Sequence, residues 1–509
     1  MPNSSETVVG KPAAIAVEAT SGVDDDIPSE FSGASDEDAR DDRAGRQLVQ
    51  FYIAFINQME ATRPEILRGV PVWKLLRYLP SAWLREKLDD LHGLSQQAMQ
   101  FDQFWSHSWR GSAWTKYTNM LYLHNCMPAS IAGTLSASVA CGLVSAGFLG
   151  ARQGWCILFG LVAFCTALLL WRPRKLVFLD IACIHQTDED RKGEAIISMG
   201  AFLKQSTSML VLWDPTWVTR LWCTFEVAAF LHSRSPGCKV DLQIIPPLLG
   251  PALLGCEMLF CVLGVVYVYI ESSLASSDEA SDEAIVVGEL YILLVGILGL
   301  LFGFVTHALR GHARSVDTLQ EQLRCFKVEH ARSACCDHGH DDMSLCDREI
   351  ILECIAAWYK SLDSFEMQVQ TEVRMAIIDQ LAYKAFSYQR TLQVFTPYVW
   401  IRLGYAASNA SDPSRQVVDI AQTLTYFLAI IPMMDKLAFR LCYRWRARGR
   451  RLYLDFLLSL AVAILALLFY IACYAIQLYV FRQNDRGLLL SVISMLSWWT
   501  VAAILWRFI

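Results

Sequence analysis

The strongest constraint on the fold of this chain is a set of long apolar stretches. Six of them approach or exceed the ~20 residues that a helix needs to cross the hydrocarbon core of a bilayer. They cover residues 128–150, 154–171, 247–270, 285–307, 452–479 and 487–506. A mean hydropathy of +0.32 and a 54% share of hydrophobic residues support the same interpretation. The sequence therefore predicts an integral membrane protein, embedded in the lipid bilayer through an α-helical transmembrane bundle.

Basic residues at the ends of these stretches predict the orientation of the chain. Cytosolic segments next to membrane helices are enriched in Lys and Arg. Such residues follow the second and fourth stretches and precede the fifth: Arg172, Arg174, Lys175, Arg310, Arg314 and the cluster 441–451. The loop 271–284 contains acidic residues and no basic one. We therefore expect this loop on the far side, and both termini and the polar segments in the cytosol.

One further apolar segment, residues 416–435, does not fit a simple crossing. A single span there would place the basic cluster 441–451 on the wrong side of the membrane. We expect an interfacial or re-entrant helix instead, which gives six spans. The alternative is a seventh span paired with residues 394–407.

The polar segments differ in composition. Residues 1–45 are acidic and nearly free of aromatic side chains, which predicts a disordered tail. Residues 46–100 form a cytosolic segment with helical patterns broken by prolines, and residues 308–415 a second helical region with a Cys/His-rich loop. The net charge of −6 gives no reason to expect a nucleic-acid partner.

Residues 175–231 have the pattern of a parallel α/β unit. Residues 176–180 and 209–213 are short continuous apolar runs, typical of strands that are buried on both faces. A helical pattern lies between them, and a second one covers 219–231. Strand, helix, strand and helix in this order predict a parallel sheet with its functional loops at the carboxyl ends of the strands.

The same unit resembles the Toll/interleukin-1 receptor/resistance (TIR) family. Trp222, Cys223 and Glu226 match the family's W-C-x-x-E pattern, which follows an apolar strand. Asp180 resembles the acid in the loop after the second strand, and residues 101–111 look like the first strand and its loop. The resemblance covers about a quarter of the chain. It implies a TIR-like cytosolic domain with a flavodoxin-like parallel sheet.

Such a domain is interrupted in this chain. Its parts are residues 101–126 and 172–246, and the membrane hairpin 128–171 separates them. A hairpin begins and ends on one side of the membrane, so the sheet can close around it. The alternative is a chance resemblance at Phe101, with the α/β unit starting at Arg174.

The resemblance implies one of two functions. Some TIR domains signal by self-association or by binding other TIR-like domains. Others, once assembled, cleave NAD at the nicotinamide–ribose bond with the glutamate of W-C-x-x-E. Glu226 matches that position. A carboxylate there can stabilise the oxocarbenium character that develops on the ribose.

Other residues are candidates for binding NAD: Trp222, Trp105, Ser106, Trp109 and Asp180. Trp222 lies one helical turn before Glu226 and therefore on the same helix face. The candidate residues, Glu226 included, can also have ordinary structural roles. Trp222 is a good core residue, and Glu226 can form an ion pair with Arg220 or Arg234.

A metal site is the second candidate site, in the Cys/His-rich loop. Its potential ligands are Cys335, Cys336, His338, His340 and Cys346. Zinc binds thiolates and imidazoles tetrahedrally. However, the spacing fits no standard zinc finger, and reduced cysteines in a polar loop are the favoured interpretation.

Three hypotheses remain open at this point, and each predicts a different environment. An NAD-cleaving enzyme predicts a partly exposed Glu226 beside Trp222 and the 104–109 loop. A non-enzymatic scaffold predicts that Glu226 is neutralised by an ion pair or covered by residues 46–100. A channel or transporter predicts polar side chains that converge on Glu257, the one clear ionisable residue within a span.

Overall fold

The computed structural model describes residues 34–85, 87–107, 112–150, 154–214, 216–235, 240–274, 282–338, 346–381, 386–449, 451–482 and 487–508. These residues form two compact units. The sheet unit comprises the described residues of Met1–Ser112, Pro173–Pro246 and Leu319–Gln380. The helical unit comprises those of Ala113–Arg172, Pro247–Thr318 and Leu381–Ile509.

The sheet unit contains one mixed sheet. Its strands are β1 (Arg68–Pro71), β2 (Gln96–Gln97), β3 (Phe101–His107), β4 (Leu176–Phe178), β5 (Ser206–Leu212) and β6 (Leu242–Ile245). They lie in the order β2-β1-β4-β3-β5-β6. Strands β3 to β6 are parallel, whereas β1 pairs antiparallel with both β2 and β4.

Helices make up most of the remaining described chain. They are α1 (Ala34–Gln58), α2 (Val72–Leu84), α3 (Ala113–Leu121), α4 (Met127–Ser145), α5 (Gly154–Leu170), α6 (Asp180–Cys183), α7 (Glu189–Ile197), α8 (Met199–Gln205), α9 (Leu221–His232), α10 (Leu249–Leu274), α11 (Asp282–Arg324), α12 (Ala334–His338), α13 (Asp347–Tyr359), α14 (Leu362–Gln368), α15 (Arg374–Asp379), α16 (Tyr388–Val394), α17 (Thr396–Ser408), α18 (Pro413–Thr425), α19 (Ile431–Arg444), α20 (Leu452–Arg482) and α21 (Gly487–Phe508). Short π-helical turns join α3 to α4, α14 to α15 and α18 to α19.

An aromatic cluster forms the core of the sheet unit. The ring of Phe104 stacks on Phe178 with centroids 4.7 Å apart, and Phe178 packs on Phe202 at 4.3 Å. Phe101 contacts Phe202 from the start of β3. Burial of each such side chain contributes about 1.5–3 kcal/mol. The cluster joins β3, β4 and α8, and it thereby fixes residues 101–107 in the same sheet as residues 176–178.

The segment 46–100, predicted as helices, also contributes strands β1 and β2 to the sheet. Val70 is fully buried where β1 pairs with β4. Gly69 permits this close approach, since a Cβ atom there would lie 2.9 Å from the side chains of Leu176 and Phe101. The predicted tail 1–45 lies outside the described residues up to position 33, and its last residues belong to α1.

The helical unit contains four apolar helices long enough to cross a membrane by length and composition: Ala113–Ser145, Leu249–Glu271, Pro413–Arg444 and Leu452–Gln477. Gly154–Leu170 and Val492–Trp506 are shorter apolar helices. These features are those of an integral membrane protein. The predicted span 285–307 lies within α11, where some side chains are outside the described part. The segment 416–435, expected to be interfacial or re-entrant, belongs to a continuous helix of spanning length.

A tryptophan fills the space between three helices of this unit. Trp400 of α17 is fully buried against α4 and α5. A Cβ atom on Gly133 or Gly160 would lie 2.5 Å from its ring, so both positions require glycine. Its indole Nε1 donates a hydrogen bond of 3.2 Å to the Thr134 hydroxyl. The packing of these helices therefore depends on one large residue, Trp400, facing two glycines.

Candidate functional site

Three polar side chains lie at the carboxyl ends of three adjacent parallel strands. Ser106 is the last residue but one of β3, while Asp180 and Asp214 each follow their strand, β4 or β5, by two positions. Strand β3 is the first parallel strand along the chain and lies between the second and the third. Open α/β sheets bind ligands outside the carboxyl ends of their strands, where the strand order reverses in this way. This edge of the sheet is therefore the candidate site.

Helix α9 brings Glu226 to the same edge. The hydroxyl of Ser106 donates a hydrogen bond of 2.5 Å to Oε2 of Glu226. The indole Nε1 of Trp217, in the short 3-10 turn before α9, donates a bond of 3.1 Å to the Ser106 hydroxyl. This chain of donors fixes one carboxyl oxygen of Glu226. Nothing in the sequence pattern singled out Trp217, because its position in a turn does not show that it folds back on β3.

Burial raises the pKa of Glu226 to about 8. The hydrogen bond from Ser106 opposes this rise, the negative charge of Asp180 adds to it, and the charge of Arg220 opposes it. The residue is half-buried and forms no ion pair with any described residue. Near neutral pH the carboxyl group is therefore mostly protonated, and a nearby cation would favour its ionised form.

Neither of the two arginines expected as ion-pair partners of Glu226 forms that pair. Arg220 influences Glu226 through its charge without a direct contact between the two. Arg234 instead donates hydrogen bonds to the carbonyls of Leu203 and Ser206, and its guanidinium lies over the ring of Phe230. Arg234 therefore has a structural role at the far end of α9.

The two aspartates at the strand ends differ in the hydrogen bonds that their carboxylate oxygens accept. Oδ1 of Asp214 accepts hydrogen bonds from the backbone and hydroxyl of Thr216, whereas its buried Oδ2 has no hydrogen-bond partner among the described residues. Asp180 accepts the backbone N–H of Ile181, and its Oδ1 lies 3.9 Å from Nδ1 of His107. Asp214, which the sequence did not mark as a candidate, thus offers an acceptor beside the site.

Two of the three tryptophans expected at this site, Trp105 and Trp222, form hydrogen bonds with other residues. Trp105 and Ser106 are consecutive in β3, so their side chains lie on opposite faces of the sheet. The Trp105 indole donates to Gln103, two residues earlier. The Trp222 indole donates a hydrogen bond of 3.2 Å to Asp347 at the start of α13. Trp109 lies outside the described residues. The structure thus brings Ser106, Asp180 and Glu226 together, but neither Trp105 nor Trp222 joins them through a described contact.

The segment before α13 holds the first turn of α9 in place. The backbone N–H of Leu221 donates to the carbonyl of Arg332, and the N–H of Arg332 donates to the carbonyl of Thr219. Asp347 then accepts the Trp222 indole. Further along, Trp358 packs on Phe225 with ring centroids 5.5 Å apart. The orientation of Glu226 therefore depends on residues more than a hundred positions later in the chain.

Three cysteines of the Cys/His-rich loop lie close together in the segment between Arg332 and Asp347. The Sγ atoms of Cys335 and Cys336 are 3.9 Å apart, and those of Cys336 and Cys346 are 3.7 Å apart. All three sulfurs lie within 4.8 Å of one another. The side chain of His338 and all of His340, the other predicted ligands, lie outside the described residues.

Glu257 has a different environment in the helical unit. Its carboxyl group is fully buried and accepts hydrogen bonds of 3.3 Å from the Cys126 thiol and from the Ser130 hydroxyl. Among the described residues these two neutral groups are its only hydrogen-bond partners. They satisfy a buried carboxyl group, but they do not form a series of polar sites through the unit.

Comparison of the chain with models of protein families, with curated proteins and with solved structures finds no match.

Proposed function

We propose that this protein is a membrane-embedded signalling protein whose sheet unit is a TIR-like domain that cleaves NAD when the domains assemble. The resemblance at Trp222, Cys223 and Glu226 suggests the activity. The parallel strands follow the order second, first, third, fourth, which is also the order of flavodoxin-like sheets. The observation that carries the proposal is the hydrogen bond between Ser106 and Glu226 at the point where the strand order reverses.

The proposed reaction is hydrolysis at the ribose C1′ atom. The bond from C1′ to the nicotinamide nitrogen breaks, and its electron pair moves to the nicotinamide, which leaves as a neutral molecule. Water adds its hydroxyl group to C1′ and releases its remaining proton to solvent. Glu226 stabilises the positive charge that develops on the ribose, in its ionised form. Ser106 holds Oε2, so that Oε1 is available to the substrate.

The positive charge of the bound nicotinamide ring has a specific role in this scheme. Glu226 is mostly neutral in the free protein, because burial raises its pKa to about 8. A cationic ring beside the carboxyl group lowers that pKa and favours the charged form that the transition state requires.

The test is NAD consumption by the full chain in nanodiscs, beside Glu226→Gln. The exposed Glu353→Gln on α13 is the matched control, because it makes the same substitution at a surface position of the same unit. We expect release of nicotinamide and ADP-ribose by the wild type and by the control at high protein density, and none by Glu226→Gln. Equal activity of Glu226→Gln and wild type, or none in a folded and clustered wild type, contradicts the proposal.

A non-enzymatic scaffold is the second candidate, and the side chain of Trp222 favours it. Its indole donates to Asp347 and not to a residue of the candidate site. A cavity of about 440 Å³ in the sheet unit lies instead at the far end of α9, beside His232, Tyr359 and Gln380. A scaffold predicts that Glu226→Gln leaves self-association and signalling unchanged, whereas the enzyme predicts unchanged association with loss of signalling.

A further inference from the structure

The three converging cysteines have the spacing of ligands around one metal ion. Two sulfurs bound to a tetrahedral zinc ion at ~2.3 Å lie ~3.8 Å apart. The sulfur of Cys336 is 3.9 Å from that of Cys335 and 3.7 Å from that of Cys346. A disulfide requires ~2.05 Å between two sulfurs and leaves the third without a role. The arrangement therefore matches three thiolates around an ion better than a disulfide.

The positions of Cys335 and Cys336 in the helix do not by themselves bring their sulfurs together. Cys335 and Cys336 are consecutive in α12, and consecutive residues of a helix do not face each other. Their sulfurs nevertheless approach the same point as the sulfur of Cys346, which comes from beyond the loop. The Ser333 hydroxyl lies 3.0 Å from the sulfur of Cys335 and can donate to a thiolate there. Such an outer hydrogen bond is typical of metal-bound thiolates.

We infer that Cys335, Cys336 and Cys346 bind a zinc ion through their three thiolates. A tetrahedral ion takes a fourth ligand beside them. Cys325, in the same region, contacts Glu321 and belongs to no such cluster.

The ion would join Cys335 to Cys346, and residues next to these two cysteines hold the first turn of α9. Arg332, three positions before Cys335, pairs with the backbone of Thr219 and Leu221. Asp347, directly after Cys346, accepts the indole of Trp222. Zinc thus joins both contacts into one rigid support for the helix that carries Glu226. Only this consequence for Glu226 rests on the proposed function.

The first test is metal content of the full chain, purified without a metal-affinity tag and dialysed against a weak chelator. We expect about one zinc ion per wild-type chain, as in structural sites. Cys325→Ser, which removes an exposed thiol outside the cluster, is expected to keep its zinc, and Cys336→Ser is expected to lose most of it. Cys336 is exposed, so serine there leaves the packing intact. A wild type without zinc, or equal retention by the two variants, overturns the inference.

Two further readouts do not depend on NAD cleavage. Cobalt in place of zinc is expected to give the intense near-ultraviolet absorption of thiolate–cobalt bonds in wild type and Cys325→Ser, but not in Cys336→Ser. Removal of zinc is expected to speed tryptic cleavage after Arg332, because Cys335, three positions later, is then no longer joined to Cys346. Unchanged cleavage contradicts the support role, while failure of NAD cleavage with zinc present contradicts only the proposed enzyme.

Discussion

The hydroxyl of Ser106 donates a hydrogen bond of 2.5 Å to Oε2 of Glu226, across 120 positions of sequence. This bond joins the central strand β3 to helix α9 and favours the ionised form of the carboxyl group, against the effect of burial. The bond therefore affects both the stability of the sheet unit and the charge state of Glu226. The unfolding free energy and the pH dependence of NAD cleavage measure these two effects separately.

Ser106→Ala tests this connection. Loss of the donor is expected to raise the pKa of Glu226 further and to move the pH dependence of NAD cleavage to higher pH. The Trp217 indole also loses its acceptor, so the unfolding free energy is expected to fall by about 1–3 kcal/mol.

Ser208→Ala is the matched control for Ser106→Ala. Ser208 is a buried serine of the neighbouring strand β5, and its hydroxyl donates to the carbonyl of Asp102. This variant is expected to lose similar stability but to keep the wild-type pH dependence. The same pH dependence in both variants would show that Ser106 acts on stability alone.

The pH dependence of the wild type follows from the charge state of Glu226. The proposed reaction needs the carboxylate, and burial raises its pKa to about 8 in the free protein. We expect kcat/KM for NAD to rise about tenfold per pH unit below pH 8 and to level off above it. Initial rates between pH 6 and 9 measure this. A rate that is constant over the range would exclude Glu226 in its ionised form as the essential group.

The stability of the sheet unit has the opposite dependence on pH. The pKa of Glu226 is about 8 when folded, against an ordinary value of 4.5. Between these values the folded state keeps a proton that the unfolded state has lost, so the unfolding free energy falls as the pH rises, and it is level above pH 8. Glutamine has no proton to lose. Glu226→Gln is therefore expected to be more stable than wild type at pH 8, by on the order of 4 kcal/mol, and this advantage shrinks toward pH 5.

Melting temperatures of both proteins in nanodiscs from pH 5 to 8.5 measure this effect. Glu353→Gln is again the control, because it makes the same substitution at an exposed position of the same unit. An advantage of Glu226→Gln that stays constant with pH would mean that the carboxyl group titrates normally.

Local patterns predicted several elements of the sheet unit but not the contacts among them. The apolar run before Trp213 and the helical pattern after it predicted β5 and α9 within three residues, because burial imposes those periods on neighbouring residues. Strand β1 was missed, since four residues that include Gly69 and Pro71 have no strand pattern of their own. The contacts of Glu226 with Ser106 and of Trp222 with Asp347 join residues 120 or more positions apart. No local pattern encodes such pairs.

In the helical unit, Arg310 and Asp455 form a buried ion pair that provides the last prediction. Arg310 is fully buried, and its Nη2 lies 2.7 Å from Oδ1 of Asp455. Its other donors bind the Ser459 hydroxyl and the carbonyls of Trp445, Ala447 and Asp455. All three guanidinium nitrogens of Arg310 thus donate to an acceptor. These bonds join α11 to α20 and to the basic segment that precedes α20.

Arg310→Met is expected to lower the unfolding free energy by about 3–5 kcal/mol, because it removes the buried cation from a buried carboxylate and one donor from each of three carbonyls. Arg314, 3.4 Å from Oδ2 of Asp455, compensates in part and favours the lower end of that range. The double variant Arg310→Met with Asp455→Leu is expected to recover part of the loss, because it also removes the buried carboxylate, and the cation that remains, Arg314, is partly exposed. Melting temperatures of the single and double variants in detergent measure both steps. A double variant no more stable than Arg310→Met would mean that the carbonyl contacts, rather than the ion pair, hold the basic segment.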